Sequence, residues 1–151
     1  MKQSIMITVT GFFLLASAGC SSQSIPAEKV PSLVLNSVKG KFPDASKVDW
    51  EKTKSMYEAE VKMNDSTEIT MQLDGNGKIL MQKSDLAQNQ LPAAVLSVLQ
   101  TKYKDYTIDD VELLEKDGVS YYQVELEAKG KKEVNLVLGS DGTEQKIDYW
   151  D

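Results

Sequence analysis

Residues 57–77 read Tyr57-Glu58-Ala59-Glu60-Val61-Lys62-Met63, a turn at Asn64-Asp65-Ser66, then Ile69-Thr70-Met71-Gln72-Leu73 and a second turn at Asp74-Gly75-Asn76-Gly77. Apolar and polar residues alternate on both arms. Because successive side chains of a strand point to opposite faces, this pattern predicts two strands with one greasy face. Asn76-Gly77 adds a tight turn, since both central residues of such a turn must tolerate positive φ.

The pattern recurs further along the chain. Tyr122, Val124, Leu126 and Ala128 alternate with Tyr121, Gln123, Glu125 and Glu127, and Val134, Leu136 and Leu138 follow a turn at Lys129-Gly130-Lys131. Gly139-Ser140-Asp141-Gly142 then falls where Asp74 to Gly77 stood, 65 residues earlier. Upstream of each alternating region the period is helical. Val30, Val34, Val38 and Phe42 recur at spacing four, as do Leu91, Val95, Leu99 and Tyr103, and each set is preceded or entered by an apolar-Pro step, Val30-Pro31 and Leu91-Pro92. Proline suits a helix start because its missing N–H has no intrahelical partner there. Further strands are expected at Lys47 to Lys54, Ile79 to Lys83, Ile108 to Lys116 and Thr143 to Trp150.

These readings predict an α+β fold of two tandem repeats, 28–86 and 90–151. Each repeat is one helix plus a four-stranded antiparallel meander, with the helices packed on one face of the sheet. A unit of about sixty residues buries too little apolar surface to be robust alone, so both halves are expected to form one domain, 28–151.

The N-terminal stretch has a different character. Lys2 precedes an apolar run from Ile5 to Ala16, followed by small residues. A spanning helix needs about 20 apolar residues, so residues 1–19 read as a secretory signal peptide. Ser17-Ala18-Gly19-Cys20 resembles the lipobox of bacterial lipoproteins, with Ser17 where Leu is usual. The resemblance implies lipid attachment at Cys20, which is the only cysteine and has no disulfide partner within the chain. Residues 20–27 then form a lipidated Cys and tether. The expected location is the cell envelope, lipid-anchored to the outer membrane on its periplasmic or surface side.

Composition narrows the chemistry. The chain has no histidine and no arginine, and its formal net charge is −6. Nucleic-acid binding rests on clustered cations, so it is not expected. Without histidine, Ser-His-Asp and Cys-His catalysis cannot operate, and the commonest transition-metal ligand is missing. Asp74, Asn76 and Asp85 fall at the first, third and twelfth places of a calcium-loop spacing, but Ile79 stands where that loop needs Gly and Lys78 where it needs a ligand. We therefore expect no enzyme, no metal and no cofactor. Asn64-Asp65-Ser66-Thr67 contains tripeptides resembling glycosylation acceptors, on a predicted exposed turn.

The apolar-Pro helix starts, Lys41-Phe42-Pro43-Asp44, the strands led by Tyr57 and Tyr122, and the turns at Gly77 and Gly142 together resemble the PepSY-like proteins. These are also described as β-lactamase-inhibitor-protein-like, and are small secreted or lipid-anchored proteins of Bacteroides-type bacteria. The resemblance implies a fold of helix plus four-stranded sheet, present twice, and no established activity. Strand parity turns Glu58, Glu60, Tyr121, Gln123 and Glu125 away from the helices, and Trp150 either joins them or closes the core. The expected function is a non-enzymatic envelope binding module of inhibitor-like fold, recognising a protein or peptide through these six residues on an open sheet face. The alternatives are a structural or accessory lipoprotein of an envelope complex, or a small-molecule or cation sensor.

Overall fold

The computed structural model describes residues 22–151. Residues 1–19, expected to be a signal peptide, and Cys20 lie outside the described residues. Among those described, no helix is long and apolar enough to cross a membrane.

Two helices form where the helical period runs. Helix α1 spans Ser32–Lys41 and α2 spans Ala93–Lys102. In each the proline carbonyl accepts the first helical bond: Leu35 N–H donates to Pro31 O, and Leu96 N–H donates to Pro92 O, both at 3.0 Å. Everything else of substance is sheet. The strands are β1 (Gln23–Ser24), β2 (Ala45–Lys52), β3 (Met56–Met63), β4 (Glu68–Asp74), β5 (Ile79–Asp85), β6 (Thr107–Lys116), β7 (Val119–Glu127) and β8 (Val134–Gly139). They lie side by side in chain order, each antiparallel to the next, as one eight-stranded sheet.

The expected architecture of two units, each a helix with a four-stranded meander, is thereby corrected. The molecule is dominated by a single antiparallel sheet, and only three strands follow α2. The expected strand at Thr143 to Trp150 does not form. After a single bridge between Leu138 and Glu144, and a bond from Gln145 N–H to Val137 O at 2.8 Å, the chain leaves the sheet edge. The reason is visible in the residues: Tyr149 and Trp150 are adjacent, so a flat strand could turn only one of them inward. The chain instead crosses the face of the sheet opposite the helices, burying Trp150 there with Tyr149 partly buried beside it. The eighth strand is β1, whose residues Gln23 and Ser24 pair with Lys52 and Glu51.

Three apolar clusters result. Under α1, Val34 and Val38 pack with Trp50, Tyr57, Ala59, Val61, Met71 and Leu73. Under α2, Val95 and Leu99 pack with Val111, Val124, Leu126, Leu136 and Leu138. On the opposite face Trp150 packs with Leu114 and Val137, with Met81, Tyr121, Ile147 and Tyr149 around them.

Two glycine turns fix the helices over the sheet. Gly77 has φ +83°, and a Cβ placed there would lie 2.6 Å from Leu33 O on the first turn of α1. Gly142 has φ +80°, and its Cβ would lie 2.8 Å from Ala94 O on α2. No other residue type permits both the left-handed backbone and so close an approach.

Candidate functional site

The face of the sheet away from the helices carries most of the ionisable groups that strand alternation orders. Its register brings carboxylates together. Asp49 of β2 stands directly opposite Glu60 of β3, and Glu51 opposite Glu58. On the far side of the Trp150 cluster, Asp110 of β6 stands opposite Glu125 of β7. Like charges directly across a ladder oppose strand pairing, so these three pairs weaken the fold that holds them.

Cations relieve only part of this repulsion. Lys47 Nζ lies 2.6 Å from Asp49 Oδ2, and Lys62 Nζ lies 3.0 Å from both Glu60 and Glu68. These contacts are solvent-exposed, where an ion pair contributes little. Glu58 accepts from Gln72 Nε2 at 3.4 Å. Partial burial, opposed by that hydrogen bond and reinforced by the charge of Glu51, holds the Glu58 carboxyl above the usual carboxylate range. Burial likewise raises Glu125, with Glu133, Asp109, Asp110 and Asp151 adding to it.

Asp49, Glu51, Glu58, Glu60 and Asp151 line a cleft of about 220 Å³, closed on one side by Lys83. Lys83 offsets the charge of Glu58 only slightly, because it is engaged elsewhere. Its Nζ lies 3.0 Å from Glu112 Oε1, donates to Trp150 O at 2.7 Å and sits 5.2 Å from the centre of the Trp150 ring.

The six residues expected on an open face divide between two settings. Glu58 and Glu60 line the cleft, and Glu125 belongs to the opposed pair with Asp110. Gln123 is 0% exposed and Trp150 is 8% exposed, each covering the other, while Tyr121 packs against them. The strand parity of Tyr121 and Gln123 is as the alternation predicts, but the segment 144–151 lies over them. Asp49, Glu51 and Asp151 join the acidic wall without having been singled out from the sequence. Alternation around Trp50 could have placed Asp49 and Glu51 on the outer face, but nothing local sets which residue of β3 each one meets. Among the described residues, no group of three or more His, Cys, Asp and Glu side chains is arranged to hold a metal ion.

A family model described as "Putative beta-lactamase-inhibitor-like, PepSY-like" matches residues 17–81 and again residues 60–145. The chain belongs to the PepSY-like family. Several solved structures share its PepSY-like fold. A BLIP-like protein from Bacteroides fragilis is 28% identical, with a TM-score of 0.64 over 76% of this chain and 83% of that one. A DUF2874 family protein from Bacteroides uniformis is 22% identical, with a TM-score of 0.69 over 76% of this chain and 85% of that one. One of the "putative periplasmic proteins" from Bacteroides eggerthii is 16% identical, with a TM-score of 0.70 over 78% of this chain and 86% of that one. No curated protein matches the chain.

Proposed function

We infer that this PepSY-like chain is a non-enzymatic, inhibitor-like binding module of the cell envelope, whose acidic outer wall receives a cationic surface or segment of a partner protein. The observation that carries this reading is the set of opposed carboxylate pairs Asp49/Glu60, Glu51/Glu58 and Asp110/Glu125. They act against folding, and their repulsion is relieved when a cationic partner seats on them. The BLIP-like relative supports an inhibitor-like module. The periplasmic description of the B. eggerthii structure, together with the signal-like residues 1–19, supports export. Lipid attachment at Cys20 completes the proposal, and palmitate labelling lost in Cys20→Ala tests that part.

The test of the binding surface is the pair Glu51→Gln with Glu58→Gln, which keeps size and hydrogen bonding while removing two charges. The protein is crosslinked to its neighbours in intact cells, and the recovered complex is remeasured at rising salt. Neutralisation is expected to raise the melting temperature and to weaken the complex, with wild-type binding falling as salt screens the wall. The same partners recovered at the same strength from the neutralised variant would overturn the proposal. Because the variant is expected to be more stable, lost binding cannot be put down to unfolding.

A further inference from the structure

Strand β2 is paired along its whole length on one side only. On its outer side Gln23 and Ser24 cover Lys52 and Glu51, and Ile25 N–H donates to Trp50 O at 2.9 Å. Beyond that point, among the described residues, Ala45 to Asp49 have no strand beside them. Since Trp50 O points outward, alternation along the strand turns the N–H and C=O of Val48 outward as well. The Val48 side chain packs on the α1 side of the sheet, and next to it lies a groove of about 500 Å³ lined by Leu35, Val38, Phe42 and Val48, with Lys39 at its rim. An exposed pair of backbone groups thus borders an apolar cavity of the size that takes a side chain and its neighbours.

The corresponding edge beside α2 is closed. There Leu86 N–H donates to Val111 O at 2.9 Å, and one turn later Gln88 Nε2 donates to Ile108 O at 3.3 Å. In the α1 half the residue 61 positions before Gln88 is Ala27, whose methyl group has no donor.

The geometry points to a peptide-docking groove between α1 and the free edge of β2, which takes a short extended segment of a partner protein by strand addition. The residue opposite Val48 exchanges two backbone hydrogen bonds with it and, because directly opposed residues share a face, drops its side chain between Leu35, Phe42 and Val48. That side chain is aliphatic or aromatic. The chain's own β1 is the precedent on the same edge: two extended residues pair with β2, and the apolar Ile25 that follows packs into the α1 cluster.

Other occupants fit less well. Ser22 and Gln23 lie beside Lys52 and Thr53, at the end of β2 away from the groove. A second copy pairing about Val48 would set its Ser46 against Trp50, where Ile25 already sits, whereas a short free segment can end before Trp50. The bulge at Ser46 and the paired charges of Lys47 and Asp49 further shorten the edge, as natural edges commonly do to prevent open-ended association. What remains regular is Lys47 to Asp49, roughly 10 Å of edge.

The probe is a series of fluorescein-tagged, acetylated and amidated tripeptides of threonine, with leucine, isoleucine, phenylalanine or glutamate at the centre, titrated into the protein by polarisation. At least one apolar member is expected to bind. Affinity should fall about tenfold or more with glutamate at the centre, with N-methylation of the central amide, and in the Leu35→Lys protein, each removing one element of the contact. The Glu51→Gln, Glu58→Gln protein should bind as the wild type does. The Val48 amide should gain protection from hydrogen exchange in the complex, a change that unfolding of Leu35→Lys cannot imitate. No binding by any member, equal binding of the N-methylated form, unchanged affinity in Leu35→Lys, or a Leu35-dependent dimer of the protein without peptide would each overturn the groove.

Discussion

The side-chain amide of Gln123 holds both backbone groups of Trp150: its Oε1 accepts the Trp150 N–H at 3.0 Å, and its Nε2 donates to the Trp150 carbonyl at 3.0 Å. The second hydrogen on Nε2 goes to Glu112 Oε2 at 2.7 Å. Every polar atom of this wholly buried side chain is used, and a backbone segment that is not in the sheet is fastened to it. Gln123→Leu keeps the volume and strands the Trp150 N–H and the Oε2 atom of Glu112. The expected cost is about 2–4 kcal/mol, read by urea denaturation. A loss below about 0.5 kcal/mol would mean that the segment 144–151 is held by its apolar contacts alone.

Lys83 and Glu112 form an ion pair whose side chains are only 12% and 11% exposed. Removing one partner leaves a buried charge, so Lys83→Met should cost about 3 kcal/mol or more. Adding Glu112→Gln to that variant should recover most of the loss, because the amide oxygen still accepts from Gln123 while the charge is gone. Thermal melting of the single and double variants checks this, and a double variant no better than the single one would contradict it.

Glu58 gives a pH dependence of defined sign. Its carboxyl is raised above the ordinary glutamate value of 4.5, first by burial, so the folded protein holds the proton more tightly than the unfolded chain does. Stability therefore falls as pH rises from the unfolded value through the folded one, and the ionised group opposes folding at neutral pH. Glu58→Gln should melt at a higher temperature than wild type at pH 7, and the difference should shrink toward zero as pH is lowered below 4.5. An advantage that persists unchanged in acid would point to packing instead.

The glycines differ in what they tolerate. Gly77→Ala forces a left-handed backbone and a Cβ 2.6 Å from Leu33 O, so it should destabilise by about 2 kcal/mol or more. Gly40, in α1 with open space around it, should accept alanine with a gain of about 0.5–1 kcal/mol. Equal effects at the two positions, measured by the same denaturation series, would refute the account of the Gly77 contact.

Much of the secondary structure was legible in local pattern. The apolar spacing from Val30 and from Leu91 located both helices, and the alternation from Tyr57 and from Tyr122 located β3 and β7 with the correct faces inward. What could not be read was which strands share a ladder. The join of β5 to β6, where Gln82 meets Glu115 and Lys83 meets Leu114, makes one sheet out of what looked like two meanders, and it depends on contacts about thirty residues apart. The fate of residues 144–151 was hidden for a related reason. Their apolar content, Ile147, Tyr149 and Trp150, says that the segment is buried but not against which face. Gln123 accordingly looked like a wet-side residue until the returning chain covered it. In the candidate site, Glu58, Glu60 and Glu125 were legible from parity, whereas their opposed partners Asp49, Glu51 and Asp110 depend on register, which period-two alternation leaves open.

The facing carboxylates of β2 and β3 have one more effect, felt in the surrounding electrolyte. Four acids held on one wall by backbone pairing gather a local excess of small mobile ions from the medium, at an entropic cost renewed for as long as the wall is bare. A visitor that supplies fixed positive groups sets those ions free, so docking draws on dilution of ions into bulk as well as on attraction, and its strength should decline steadily with the logarithm of ionic strength.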